Sequence, residues 1–461
     1  GRSTIYDTTG WNISMMFGLE ALSVPQHLDS GLERVDLEAP SAPGAVPTEG
    51  AAAIALAVSG ADDRSLAFAG RMMERGYFVR ASRKASQLDG IDLPIGSIAI
   101  KLDDNRGRTD WQADARIVAL ELGLELHAIG HGRAPGDLAD LGGREWDLLV
   151  KPNIALVTRG MTNMLDYGAA WYALDHRLGI RHSHLDEGRI GAFDLRRYNV
   201  IYLPERWGRS GLPAGLVAAL EEWVRAGGTL VAVGNSARAL MDGDEPLVQT
   251  RPLEAVIGED LAAYQDAIYR EWLAAQSPPA AEATWGRMAV AGAEYPWDGA
   301  GELPEPDARK RVDEWQSMLM PSGALVGTRV DTEHWLAAGT GPVLPVLFSD
   351  SPVLMAASPV EAPFRIGVYE ADETEASMLN WAPLPAGQSI RVRMSGLLWP
   401  EARTRIASSA WVTRESVGRG QVILFAHAPA FRAAQLGAMR VLENALLLGP
   451  GLGTRQPVPL P

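Results

Sequence analysis

Two sets of residues in this chain have the types and spacing that chemistry needs. His184-Leu-Asp-Glu187 matches H-x-x-E, and with His334 downstream it supplies two imidazoles and a carboxylate, the donor set of a catalytic zinc. Ser236, just past one apolar run, and His427, directly after another, are of the types that a hydroxyl nucleophile and its general base require. Each set has a plainer reading. A four-letter pattern with two fixed positions arises by chance and needs its structural context, and a serine at a strand-to-helix turn also caps helices. His182 and His184, two apart, share one side of a strand and with Asp186 form a further metal candidate, or a surface pair beside an acid. His127-Ala-Ile-Gly-His131 has H-x3-H spacing, but no Glu stands between and Gly130 breaks any helix, so it reads as a strand end.

The elements that must position these groups are clearest between Lys151 and Ala237. Apolar runs at Asn153 to Thr158, Asn199 to Leu203 and Gly228 to Gly234 alternate with helical patterns at Met161 to Leu178 and Pro213 to Ala226. The second helix sets Leu216, Val217, Leu220, Trp223 and Val224 on one face, with Pro213 suited to its first turn and Gly227 to its stop. Strands apolar on both faces and separated by amphipathic helices predict a parallel sheet covered on both sides, a doubly wound α/β domain. Residues 51–150 repeat that logic on a smaller scale, with a capping-box start at Thr109 and a helix that turns Ile117 and Leu120 inward. Residues 1–50 suit a covering segment and linker, about 277–330 a Trp- and Pro-rich insertion, and 451–461 a frayed tail. The remaining strands are expected near Val343 to Phe348, Val353 to Ala356, Arg365 to Tyr369, Ser389 to Met394, Trp411 to Glu415 and Gln421 to Ala426.

Composition narrows the functions. The chain has 461 residues, 47% of them apolar, enough for two or three cores. A formal charge of −15 argues against a nucleic-acid groove, and no run approaches the roughly 18 apolar residues of a membrane span. With no cysteine the chain has neither disulfides nor thiolate chemistry. The 14 tryptophans could stack on a carbohydrate or peptide, or cover a core.

Tyr6-Asp-Thr-Thr-Gly-Trp11, Leu93-Pro-Ile-Gly-Ser97, Lys151-Pro-Asn-Ile-Ala-Leu156, Tyr198-Asn-Val-Ile-Tyr-Leu-Pro204, His334-Trp-Leu-Ala-Ala-Gly339 and Gly418-Arg-Gly-Gln-Val-Ile-Leu424 through Phe431-Arg432 resemble, in this order, the C-terminal half of bacterial zinc carboxypeptidases of the M14 family. The resemblance spans nearly the whole chain through blocks that are individually short. It implies a flavodoxin-like, class I glutamine amidotransferase-like domain behind the small one. It also implies a catalytic zinc domain that lies before Gly1 as partner, peptide as that partner's substrate, export from the cell, and no cofactor in this chain. In class I glutamine amidotransferases the strand corresponding to the one before Gly234 leads to a nucleophile elbow, where the pattern needs Cys with Gly two residues beyond; here Ser236 and Arg238 stand instead, and no Glu stands two residues after His427 to orient it. The chain is therefore expected to be a non-catalytic portion of a metallocarboxypeptidase-like protein. A free-standing hydrolase built on Ser236 and His427, and a self-assembling envelope protein that forms homo-oligomers, are the alternatives.

Overall fold

A computed structural model describes residues 12–19, 25, 31, 46–47, 53–209, 211–243, 245–276 and 301–458. The Tyr6 to Trp11 block, most of the covering segment and the first part of the insertion lie outside the described residues.

The main sheet of the small domain and its two helices are β1 (Ala55–Val58), α1 (Ser65–Glu74), β2 (Arg80–Ser82), β3 (Ile98–Lys101), α2 (Trp111–Leu122), β4 (His127–Ile129) and β5 (Trp146–Leu148), with a separate hairpin of Ser86–Leu88 and Ile91–Leu93. Its sheet runs β4-β1-β3-β2-β5, and every ladder in it is antiparallel. Short apolar strands covered by α1 and α2 do not disclose direction in sequence, because burial on both faces erases the alternation that marks an antiparallel strand. The α2 helix buries Trp111, Ala115, Val118 and Ala119. Ile117 and Leu120, expected inside, are about half exposed on the opposite face. The capping box does not form either: Asp110 is the N-cap and makes no side-chain cap bond.

The large domain has the doubly wound architecture that the apolar runs predict. Its parallel core comprises β6 (Ile154–Thr158), β7 (His182–Asp186), β8 (Val200–Leu203), β9 (Thr229–Val233) and a last strand, β14 (Gly420–Phe425). They lie in the order β7-β6-β8-β9-β14 and all four ladders are parallel. Counted within the domain, that is 2-1-3-4-5, the flavodoxin-like order. Helix α3 (Met164–Tyr172), continued by a π-helical turn over Ala173–Leu178, crosses from β6 to β7. Helix α4 (Ala214–Arg225) crosses from β8 to β9, burying Leu216, Leu220, Trp223 and Val224 while Val217 stays at the margin. The seven-residue α5 (Asn235–Met241) leaves β9.

Between α5 and β14 the chain builds an antiparallel wing from β10 (Ser322–Val330), β11 (Val343–Ser349), β12 (Glu361–Ile366) and β13 (Ala410–Val417), which joins the parallel core through the β13–β14 hairpin. The nine residues of β10, and helix α7 (Pro306–Ser317) after α6 (Ala262–Gln276), fall in the stretch that composition marks as an insertion. Pro306 opens α7 at the position where its missing N–H is harmless, and the Trp-rich stretch thus ends in ordered structure. The tail is packed as far as Val458, which is buried and whose N–H donates to the Gly227 carbonyl; residues 459–461 lie outside the described residues.

Both domains contribute to one continuous hydrophobic core. They are fastened by the buried Arg440 of α8 (Leu436–Leu447), which donates to the Gly60 and Asp62 carbonyls of the small domain at 3.1 Å each.

Candidate functional site

In a doubly wound sheet the carboxyl ends of the strands meet the loops that hold ligands, beside the point where strand order reverses. Here that point lies between β6 and β8. The two loops are stitched together there: Asn163 N donates to the Glu205 carbonyl at 2.7 Å and Trp207 N to the Met161 carbonyl at 2.8 Å. Immediately beyond, over the ends of β8, β9 and β14, a cavity of about 920 Å³ opens, walled by the segment Glu205 to Arg209, Asn235 and Arg238 of α5, α7, the loop Ser349 to Val353, and His427.

Glu205 is the group in this cavity that is out of balance. Its backbone N–H donates to Asp166 Oδ2 at 2.8 Å, but among the described residues no donor reaches its own carboxyl. Burial, and then the neighbouring Asp166 carboxylate, push the Glu205 carboxyl up to about 7. Asp166 itself is wholly enclosed; burial lifts it to about 6 against the opposing hydrogen bonds from Glu205 N and the Tyr202 hydroxyl at 3.1 Å. The Tyr202 proton is correspondingly held well above the usual phenol range, by burial first and then by Asp166.

The cavity's cations are engaged elsewhere. Arg206 is buried and bonded to Glu187, Arg405 grips Asp313 through Nε at 2.8 Å, Arg238 holds Glu254 and Asp242, and Arg209 faces Asp350 at 3.8 Å. Glu205 has no such partner.

A folded-state pKa near 7 against about 4.5 unfolded means that the folded state holds the extra proton between those values, so the carboxyl destabilises the fold increasingly as pH rises from about 4.5 to 7. Glu205→Gln is therefore expected to be more stable than the wild type by about 2–3 kcal/mol near pH 8 and equal to it near pH 4, in urea titrations at the two pH values. A variant no more stable at pH 8 would show that the carboxyl is relieved in the folded state.

The sequence candidates are distributed differently from the two constellations. Ser236 is 1% exposed and its hydroxyl donates to the Pro204 carbonyl at 2.5 Å. His427 lies at the cavity's buried end, with Nδ1 3.1 Å from Ser351 Oγ and Nε2 without a partner among the described residues. Burial lowers its pKa to about 4, so the ring is neutral at physiological pH. Ser236 and His427 share no hydrogen bond. The reason is geometric. The residue in the strained conformation directly after β9 is Gly234, with φ 54° and ψ −120°, not Ser236 two residues on. A strand-to-helix elbow exposes the side chain at its strained residue, and that residue here is glycine. A Cβ at 234 would lie 2.8 Å from Glu205 Oε1, so the carboxyl of Glu205 fills the space where an elbow side chain would stand.

The zinc candidates are not brought together, and among the described residues no three His, Cys, Asp or Glu side chains cluster as a metal site. His184 Nδ1 is 2.7 Å from the Tyr167 hydroxyl, its ring edge-on to Trp171 and His182, and burial followed by His182 lowers its pKa. Glu187 is engaged by Arg206 and by Met161 N. His334 caps a short 3-10 turn, accepting from Leu336 N at 3.1 Å, with Nε2 3.1 Å from Glu361. These residues do not fit a zinc ion. Of the tryptophans, Trp146, Trp381 and Trp411 are core, whereas Trp207 is 54% exposed at the cavity mouth.

No family profile matches the chain, and no curated protein shows significant similarity to it. Among solved structures it is similar to a putative ThuA-like protein from Bacteroides uniformis (12% identity over 64% of this chain and 89% of that one, TM-score 0.31). It is similar also to the cytoplasmic protein STM1381 of Salmonella typhimurium (11%, 64% and 99%, TM-score 0.29). A third likeness is to a β-galactosidase from Bacillus circulans sp. alkalophilus (13%, 66% and 32%, TM-score 0.29), of whose length the chain spans about a third. The fold class is α/β, with a doubly wound, flavodoxin-like large domain.

Glu205 escaped the sequence reading, which favoured histidines and serines. The available signal was the carboxylate's place, two residues past a fully apolar strand, in the stretch where α/β sheets bind ligands.

Proposed function

We propose that this chain is the non-nucleophilic, amidotransferase-like portion of an exported metallocarboxypeptidase-like protein, serving a zinc-dependent catalytic domain that lies outside these residues. The observation that carries the reading is glycine at the elbow: the architecture that presents a nucleophile is retained and the side chain is absent. The hydroxyl two residues on is committed to a backbone carbonyl, and the neutral His427 lies against Ser351 instead. Exposed Met161, Met164, Leu165 and Trp171, at the end of β6 and on α3, give a partner domain apolar surface to cover.

Two measurements test this. Treated with a fluorophosphonate probe, the chain is expected to gain no mass; an adduct on Ser236 would restore the free-standing hydrolase. The complete gene product is expected to carry one zinc per chain and to release C-terminal amino acids from peptides, with zinc bound outside residues 1–461. A complete product with neither zinc nor peptidase activity would end the accessory reading.

A further inference from the structure

The cavity over the carboxyl ends of β8, β9 and β14 contains two acceptors that no donor reaches among the described residues. One is the Glu205 carboxyl, accessible from the cavity and free of donors among the described residues. The other is His427 Nε2, on a side chain 6% exposed at the buried end of the same cavity. Leaving a buried acceptor without a donor is unfavourable, and two such acceptors on one cavity indicate a ligand that meets both.

The chemistry of that ligand follows from what the cavity lacks. Arg206, Arg209, Arg238 and Arg405 each have their own carboxylates, so no cation of the protein is left for Glu205. An anionic ligand would therefore find each guanidinium already paired with a carboxylate, the one unpartnered buried donor among the described residues of the wall, Arg206 Nε, being enclosed, and would meet Glu205 as a like charge. The Asn235 amide NH₂ donates to the Arg206 carbonyl at 3.1 Å, which leaves its oxygen as another acceptor in the cavity wall. At the mouth, the exposed Trp207 ring offers a π face, which attracts organic cations. Acceptors inside and an aromatic face outside suit a donor that carries positive charge.

We propose that this cavity binds the ammonium group of a small organic amine, with the Glu205 carboxylate as counter-ion, His427 Nε2 as an acceptor and Trp207 against the ammonium and its stem. The ammonium selects the His427 tautomer that keeps its proton on Nδ1, donated to Ser351 Oγ, so that Nε2 presents a lone pair. Charge explains the selectivity over a neutral alcohol of the same shape: only the ammonium neutralises a carboxylate that has no other counter-ion. Asp166 from α3 and Tyr202 of β8 are the ionisable groups that act on Glu205, and Arg206, Arg209, Arg238, Glu254, Asp313, Glu314, Asp350, Arg405 and His427 share the cavity wall with it. Asp166 and Glu205 titrate near 6 and 7, and both favour the cation once ionised.

The proposal rests on the non-nucleophilic reading of the elbow and of Ser236 beyond it, since a side chain at 234 would occupy the place of the Glu205 carboxyl. The two can fail separately: a fluorophosphonate adduct removes the first, and the following titration tests the second. The whole chain is titrated calorimetrically with n-butylamine, n-butanol and methyl glucoside near pH 8 and near pH 5.5. Butylamine is expected to bind at pH 8 and about thirtyfold more weakly at pH 5.5, where a carboxyl titrating near 7 is about 3% ionised. Butanol and the glucoside are expected not to bind. Glu205→Gln should weaken butylamine binding at least tenfold at pH 8. Trp207→Ala, which removes an exposed ring and leaves the core intact, should weaken it at least threefold and keeps the test decisive if the first variant folds poorly. No binding of butylamine at pH 8, or equal binding of butanol or the glucoside without pH dependence, would overturn the proposal.

Discussion

Glu187→Ala is expected to cost about 3–5 kcal/mol of unfolding free energy, the range for removing one partner of a buried ion pair. Glu187 and Arg206 are both about 5% exposed, and the carboxylate is the guanidinium's counter-ion. One oxygen takes Arg206 and the other accepts from Met161 N at 3.3 Å, while Arg206 Nε already lacks a partner among the described residues. Truncation leaves a cation enclosed at the edge of the cavity with nothing to neutralise it. Gly160 is part of the same arrangement: its φ is +56°, and a Cβ there would collide with Glu187 Oε2. Urea denaturation should show the midpoint falling with an unchanged slope, the mark of lost stability without a change in the surface exposed. The double variant Glu187→Leu with Arg206→Met should recover most of the loss, because the apolar pair leaves no buried charge. EDTA should leave the wild-type midpoint unmoved, whereas Glu187 acting as a zinc ligand would shift it. A loss below about 1 kcal/mol would mean that water reaches the guanidinium and that the pair is in effect a surface one.

Gly234→Ala is expected to destabilise by about 2–6 kcal/mol, from two sources. A non-glycine residue at φ 54°, ψ −120° carries backbone strain of about 1–3 kcal/mol. Its Cβ also meets the Glu205 carboxyl at 2.8–3.0 Å, and overpacking of that kind costs about 1–3 kcal/mol. The elbow has little room to relax, since Gly234 N donates to the Phe425 carbonyl on β14 at 2.9 Å and its own carbonyl accepts from Arg238 N at 2.9 Å. A double-mutant cycle with Glu205→Ala separates the sources: the contact vanishes in the double variant and the strain remains. Additive single effects would show that the carboxyl does not fill the elbow's side-chain space. The same substitution displaces Glu205 and should abolish amine binding with it.

Much of the fold could be read from the chain because it is locally encoded. The runs around Ile154, Val200, Leu230 and Val422 are apolar on both faces, and the α4 face of Leu216, Leu220, Trp223 and Val224 repeats at helical spacing. What escaped was non-local or ambiguous. The pairing of Thr229 with Gln421 joins β9 to a strand about 190 residues away, across a wing whose longest strand, β10, sits in a stretch that composition assigns to an insertion. The small sheet's antiparallel ladders were hidden for a related reason, since Ala55 to Val58 and Ile98 to Lys101 are equally apolar whichever way they pair. Helix α2 places Val118 inside and Ile117 outside, which depends on the angle at which it meets the sheet rather than on how apolar either residue is.

The sequence by itself determined the alternation of strands and helices, the doubly wound class of the large domain, the absence of thiol chemistry and the acidic balance of the surface. Tertiary structure alone decided the site. Whether Glu187 is a ligand or a counter-ion depends on Arg206, which another loop brings to it. Whether position 236 or 234 forms the elbow is a matter of backbone angles fixed by the crossing between β9 and β14. Whether a carboxyl remains unsatisfied is set by which neighbours fold around it, and those of Glu205 come from residues as distant as Asp166 and His427. Desolvation and hydrogen bonding are properties of that assembled neighbourhood, so a residue's type and its spacing along the chain do not contain them.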